Sequence, residues 1–426
     1  MAMRKKTFFN IGMLTASNAI VRISGMLYKV WLAKNISPAA LGIYQLSLSV
    51  YGFFMTPVAS GLPGAVNRLC AKYSSDSKSV LACALRIALF PLIFSGLIML
   101  LGKNVIAGIF LHEPSASGAV LALVPAVTLG AAATLPAGYL HSKEKSSLPA
   151  VFEMIEQCAK ILSAVILIKL FADGTPRNDA VFPALAISFG GVISFVLSFA
   201  AAGKCGVPKK QYYGEIAKNA VPPTAAKGAA ALLHLGTTSI LPLCLISSGL
   251  SRDAALASYG VLTSMAYPVV FIPMTVISAV CVVYLPDIAK NLKDFVYIKH
   301  RFLRTLFIVF LISLCFSVLL LLFAPYAANK LFSRPEAGRY MVLLIPSVIF
   351  LGLKQICATT LNGIGRQKAL TFASVLDGVL GLLLTFVLAR KAGIYGFIGA
   401  NCLQDIAAFA VHFILCAKYI KKGESK

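Results

Sequence analysis

Residues 305–324 read TLFIVFLISLCFSVLLLLFA, twenty positions without a charged side chain. A helix needs about 20 apolar residues to cross the hydrocarbon core of a bilayer. The run is continuous rather than alternating, so it predicts a membrane helix and not a barrel strand. The whole chain agrees with this window. Of its 426 residues 58% are hydrophobic and 13% are charged, whereas soluble domains carry roughly 25% charged residues. That balance excludes a soluble globular protein. It also excludes a disordered chain, which would be polar and poor in aromatics.

Working outward, twelve such stretches are legible: roughly 7–33, 40–67, 80–101, 119–140, 148–171, 180–202, 219–247, 253–284, 302–324, 340–362, 369–390 and 394–417. Short separators carry turn signals, as in Asn35-Ile36-Ser37-Pro38 and Asp173-Gly174-Thr175-Pro176. No polar segment is long enough for a soluble domain. The basic start, Met1 to Lys6, resembles the head of a signal peptide. The apolar stretch behind it is too long and carries Arg22 and Lys29, so it predicts a retained first helix.

The chain has 39 Lys+Arg against 15 Asp+Glu, a formal charge of +24. On a soluble protein that excess would suggest nucleic acid. Here topology explains most of it. With the N-terminus cytoplasmic, 23 of the 39 basic residues fall on the inner side, 10 on the outer side and six within spans. Because cytoplasmic loops are enriched in Lys and Arg, the sequence predicts a multi-pass protein of the cell membrane with both termini cytoplasmic and no nucleic-acid partner.

The halves repeat. Ala39-Ala40-Leu41 and Tyr44 correspond to Ala254-Ala255-Leu256 and Tyr259 at an offset of 215. Pro114, Leu123-Val124-Pro125 and Glu156 correspond to Pro335, Leu344-Ile345-Pro346 and Asp377 at 221. The predicted fold is therefore all-α, about 12 transmembrane helices in two pseudo-symmetric six-helix lobes, 1–203 and 204–426. Equivalent spans have the same sidedness, so the repeats are parallel, as in transporters whose lobes rock about a central cavity.

Familiar chemistry is missing. Gly102-Lys103 precedes Asn104 and Gly203-Lys204 precedes Cys205, so there is no P-loop. Ten cysteines occur without a C-x-x-C and read as packing residues, not metal ligands or disulfides. No enzyme, cofactor or metal is expected. The informative residues are polar ones inside spans, each costing a few kcal/mol unless it faces a partner or a cavity. Asn18, Arg22, Gly25 and Lys29 form one stripe of span 1. Glu153, Glu156 and Lys160 form a stripe of span 5, with Glu156 and Lys160 in the favourable i,i+4 order. Span 7 carries Lys227 and His234. Span 10 has Lys354, span 11 Asp377, and span 12 Asn401, Asp405 and His412 along one face.

Glu153, Glu156, Lys160, Lys354, Asp377 and Asp405 read as structural or coupling charges. Lys29 also suits a snorkelling role at the interface. Arg22 and Lys227 have no acid within a turn of their own helix and lie far from the predicted interfaces. They are the first candidates for a cavity, with Asn18, Lys29 and His234 beside them. Such a cavity would be positive and suit phosphate or pyrophosphate, for which Arg offers a planar fork and Lys a point charge. Pro57, Gly61 and Pro63 in span 2, and Pro268 and Pro273 in span 8, are candidate hinges.

Several motifs resemble the stage V sporulation protein B group of polysaccharide transporters. Ile20-Val21-Arg22-Ile23-Ser24-Gly25-Met26-Leu27-Tyr28-Lys29 resembles its first span, and Leu41-Gly42-Ile43-Tyr44-Gln45-Leu46 with Ala59-Ser60-Gly61-Leu62-Pro63 its second. Leu285-Pro286-Asp287-Ile288-Ala289 and Asn362-Gly363-Ile364-Gly365-Arg366 resemble later segments, in the same order. The resemblance implies the multidrug/oligosaccharidyl-lipid/polysaccharide exporter superfamily, with two six-helix lobes in a V. It implies a flippase for undecaprenyl-pyrophosphate-linked oligosaccharide or peptidoglycan precursors, working by alternating access in cell-wall or spore assembly. The implied partners are the lipid-linked sugar pyrophosphate, membrane lipid and cell-wall synthesis proteins, the chain itself acting as a monomer. Arg22 alone carries over as a cavity residue. Relatives often have fourteen spans, so a lipid-tail groove built from the last two would be missing here. Lipid II flippases also place arginines in spans 2 and 8, where this chain has Arg68 only at the cytoplasmic end of span 2. Two alternatives stand beside the flippase: a cation-coupled multidrug exporter, whose carboxylate would be Glu153, and a non-transporting scaffold.

Overall fold

The computed structural model describes residues 2–145 and 147–424, and their side chains apart from those of 2–16, 18, 19 and 424. All regular structure among the described residues is helical. The chain forms two compact units, Met1–Ser239 and Ile240–Lys426. The first holds α1 (Ala2–Asn35), α2 (Pro38–Ala59), α3 (Leu62–Lys72), α4 (Ser77–Val105), α5 (Ser117–Ala122), α6 (Ala131–Ser142), α7 (Ser147–Phe171), the single turn α8 (Pro176–Asp179), α9 (Val181–Ala202) and most of α10 (Gln211–Ser247). The second holds α11 (Arg252–Gly260), α12 (Tyr267–Val270), α13 (Pro273–Lys290), α14 (Phe295–Ala327), α15 (Pro335–Leu343), α16 (Ile345–Gly363) and α17 (Gln367–Glu424).

Among the described residues seven helices, some of them merged elements, are long and apolar enough to cross a membrane. The number rises to nine if each of two bent pairs, α5–α6 and α15–α16, is one span. The twelve apolar stretches of the sequence correspond to these nine, α1, α7 and the second arm of α17. Non-helical Ala392 and Gly393, the latter at φ 58°, divide α17 into its two arms. Side chains such as Phe307, Leu311, Val318 and Leu322 on α14 are exposed, as lipid-facing positions should be.

Local chemistry sets the helix starts. The Ser37 hydroxyl accepts from the Ala40 amide at 3.2 Å, and Pro38 follows it at the first helical position. Ser251 repeats this on Ala254 at 3.3 Å. The Asp294 carboxylate accepts from the Tyr297 amide at 2.8 Å and starts α14. Gly203, at φ 70°, ends α9.

The repeat predicted from the offset of 221 is present in the backbone. His112 and Ser333 both adopt φ 53°. Glu113 and Arg334 follow with φ/ψ of −137°/87° and −136°/98°, ahead of Pro114 and Pro335. Each half then breaks before Pro125 or Pro346, and each broken pair of helices is bent by 47°. The change of offset is the net of longer helices in the second half and a shorter α11–α12 run and turn before Pro335. α13 has 18 residues where α3 has 11. α14 with its terminal π turn runs 38 residues where α4 with its own runs 34.

The candidate hinges lie at real interruptions. α2 and α3 part at Ser60–Gly61, between Pro57 and Pro63; α12 and α13 part at Phe271–Ile272, between Pro268 and Pro273. The first unit packs residues such as Val66, Leu69, Leu81, Leu135 and Ile216 into its core. The second packs Ile277, Tyr284, Phe302, Val309 and Ile356.

Candidate functional site

Among the described residues two groups of intramembrane charge are built, one in each unit. In the first unit α1 packs along α7, and α7 packs against α9. Small residues permit this: a Cβ on Gly25 would stand 3.3 Å from Gln157 Nε2, and one on Gly190 would stand 3.2 Å from Glu156 Cγ. Arg22 and Glu153 are exposed; Lys29, Glu156 and Lys160 are half-buried. Lys160 Nζ lies 5.9 Å from the ring centroid of buried Tyr28. Glu153 stands in the fields of Glu156, Arg22 and Lys160, and Lys160 in those of Glu156, Lys29 and Glu153. Three cations and two carboxylates from α1 and α7 thus form one electrostatic group with an excess of positive charge.

In the second unit the arrangement is closed. Lys354 Nζ lies 2.8 Å from Asp405 Oδ1 and 3.1 Å from Asp377 Oδ2. Ser347 Oγ donates to the other oxygen of Asp405. Gln404 Nε2 donates to Asp377 Oδ1 at 2.8 Å. One ammonium against two carboxylates leaves an excess of negative charge, with hydrogen-bond donors on the remaining oxygens, as a buried ion cluster requires. Nearby, Asn401 Nδ2 donates to Tyr267 Oη at 2.8 Å, and buried His412 has Nδ1 2.7 Å from the Ala408 carbonyl.

Lys227 and His234 lie seven residues apart on α10, both exposed. Asn18 lies on α1, and its side chain is outside the described residues. The structure therefore gathers Arg22, Lys29, Glu153, Glu156 and Lys160 into one group, and Lys354, Asp377 and Asp405 into another. Ser347 and Gln404 were missed by sequence reading. Their signal was available: Ser347 follows the repeat proline Pro346, and Gln404 adjoins Asp405.

With this geometry in place, the comparisons are consistent. Residues 8–292 match the family described as polysaccharide biosynthesis protein, and residues 232–387 match MatE. The chain belongs to the polysaccharide biosynthesis protein family and is a multi-pass membrane protein. Stage V sporulation protein B of Bacillus subtilis (strain 168) is 21% identical over 441 residues, covering 99% of this chain and 85% of the relative. The lipid II flippase MurJ of the same organism is 24% identical over 449 residues, covering 95% and 81%. An inward-facing multidrug resistance MATE family transporter of the MOP superfamily has the same fold, with a TM-score of 0.79 at 13% identity over 96% of this chain and 99% of that one. The expected likeness to the stage V sporulation protein B group and its exporter superfamily holds.

Proposed function

We propose that this protein is a flippase for lipid-linked sugar pyrophosphates of the undecaprenyl class, oligosaccharide or peptidoglycan precursors. The observation that carries the reading is the exposed guanidinium of Arg22 on a membrane helix, within an electrostatic group of positive excess. The name of one relative, lipid II flippase, supports a lipid-linked substrate. In this reading Arg22 and Lys227, helped by Asn18, Lys29 and His234, hold the pyrophosphate. Two lobes alternate access, and the interruptions at Gly61 and Pro273 let the helices within them bend. The headgroup crosses while the lipid tail stays in the bilayer, and the chain itself performs no covalent chemistry. Both termini are cytoplasmic, and the protein works as a monomer alongside cell-wall synthesis proteins. A potential negative inside returns a basic cavity to the cytoplasmic face.

The test is headgroup flipping in proteoliposomes. Arg22→Ala and Lys227→Ala, folded as wild type, should each lose most of the rate; wild-type flipping by both sinks the proposal. A second reading, a cation-coupled exporter, is favoured by exposed Glu153 and by the MATE fold. It requires drug resistance in cells that disappears in Glu153→Gln.

A further inference from the structure

Between α9 and α10 the chain runs through Gly203–Lys210, a stretch that reads in sequence as a loose connector between halves. The structure straps it down. The Gly206 amide donates to the Lys78 carbonyl at 3.2 Å. A Cβ on Gly206 would come within 2.8 Å of the Ser79 amide nitrogen, so only glycine lies this flat on the start of α4. The Lys209 carbonyl accepts from the Cys83 thiol at 3.3 Å, and Cys83 is buried.

Two ion pairs of opposite polarity then fix the register. Asp76 Oδ2 accepts from Lys209 Nζ at 2.6 Å and from Tyr212 Oη at 2.7 Å. Glu215 accepts from Tyr73 Oη at 2.8 Å and from Lys72 Nζ at 3.2 Å. Swapping acid and base between the two pairs penalises any slip by placing like charges together. Higher on α10, Pro223 has no amide to give the Asn219 carbonyl, and Arg68 Nη2 reaches that carbonyl at 3.4 Å. Ser60 Oγ meets Thr224 Oγ1 at 3.3 Å. Tyr212, Ile216 and Ala220 complete the apolar core of the first unit.

We propose that this strap is a permanent clamp. It makes α10 up to Ser239 part of the first unit, so Lys227 travels with Arg22 on one body throughout the transport cycle. The covalent crossing between units then lies inside α10, at Ser239–Ile240, and not in the connector. This deepens the proposed function and rests on it for the role of the two cations. The consequence is a pyrophosphate site carried by one unit, which no rocking motion divides.

The experiment uses the full chain in proteoliposomes, keeping Cys83 and Cys205 and replacing the other eight cysteines by serine. Cys205 is exposed on the strap and Cys83 is buried beneath it. A water-soluble maleimide should label Cys83 at least about tenfold more slowly than Cys205, at a rate unchanged by undecaprenyl-pyrophosphate-linked sugar. Gly206→Val and Lys209→Asp should bring Cys83 labelling toward the Cys205 rate. Separately, Asp76→Cys with Lys209→Cys, all other cysteines replaced, should flip headgroup at the uncross-linked rate after bridging with a bifunctional maleimide. Labelling of Cys83 that rises several-fold with lipid-linked sugar, or bridging that stops flipping, overturns the clamp. If the wild type flips nothing, the flippase reading fails, while Cys83 labelling still decides whether the strap is closed.

Discussion

The ammonium of Lys354 on α16 stands 2.8 Å from the carboxylate of Asp405, a residue 51 positions away on the second arm of α17. The same ammonium also serves Asp377. Removing the shared cation strands two carboxylates in a largely buried setting. Lys354→Met should destabilise the protein by about 3–5 kcal/mol. Adding Asp377→Asn and Asp405→Asn to Lys354→Met should recover most of that loss. Thermal unfolding in detergent, followed by native tryptophan and tyrosine fluorescence, measures both.

Arg22 and Lys227 should respond differently to conservative exchange. Arg22→Lys keeps the charge and loses the planar fork, so the apparent KM for lipid-linked pyrophosphate should rise about tenfold with a smaller change in turnover. Lys227→Arg keeps charge and adds donors, and should stay within about threefold of wild type. Flipping rates across a substrate titration separate the two.

The strap has a defined pH window. Lys209 and Tyr212 hold the Asp76 carboxyl below its usual range, and Tyr73 and Lys72 do the same for Glu215. A depressed carboxylate contributes above its unfolded value and loses that contribution as pH falls through the folded one. Lys72 and Lys209 are raised, Lys72 chiefly by Tyr73 and Lys209 chiefly by Asp76, so their contribution fades only as pH climbs past the ordinary lysine range. A spin label on Cys205 should keep constant mobility from about pH 5 to 9 and gain mobility below about pH 4. Because the pairs are exposed, 1 M salt should loosen the label at neutral pH as well.

Gly61 marks where α10 presses on the interruption between α2 and α3. A Cβ there would collide with the Ala220 carbonyl and the Thr224 hydroxyl. Gly61→Ala should therefore destabilise by about 1–3 kcal/mol through overpacking. Gly64→Ala, with open space around it, should change little. Paired unfolding measurements on the two variants distinguish packing from a general glycine effect.

The membrane class, the order of spans and the repeat were legible in the sequence because each has a local signature. Apolar runs measure the bilayer, and Pro114 and Pro335 mark the two left-handed turns at His112 and Ser333. The Lys354 cluster was partly legible, since intramembrane charges need partners. Its hydroxyl and amide donors, Ser347 and Gln404, were hidden because Ser and Gln are unremarked in a membrane helix. The strap was not legible. Lys72 and Lys209 counted only as inward-facing charges, and pairing them with Glu215 and Asp76 requires contacts 143 and 133 residues apart in sequence. The π turns at Ile106–Phe110 and Ala328–Phe332 likewise carry no distinguishing composition, being one-residue changes in hydrogen-bond register.

The strap also orders events at the ribosome. Asp76, Lys72 and Cys83 precede Lys209, Tyr212 and Glu215 by well over a hundred residues, so the six spans of the first unit are made before the residues that strap them. With the strap in place, synthesis of α10 as far as Ser239 supplies every residue of the first unit before any of α11 is made.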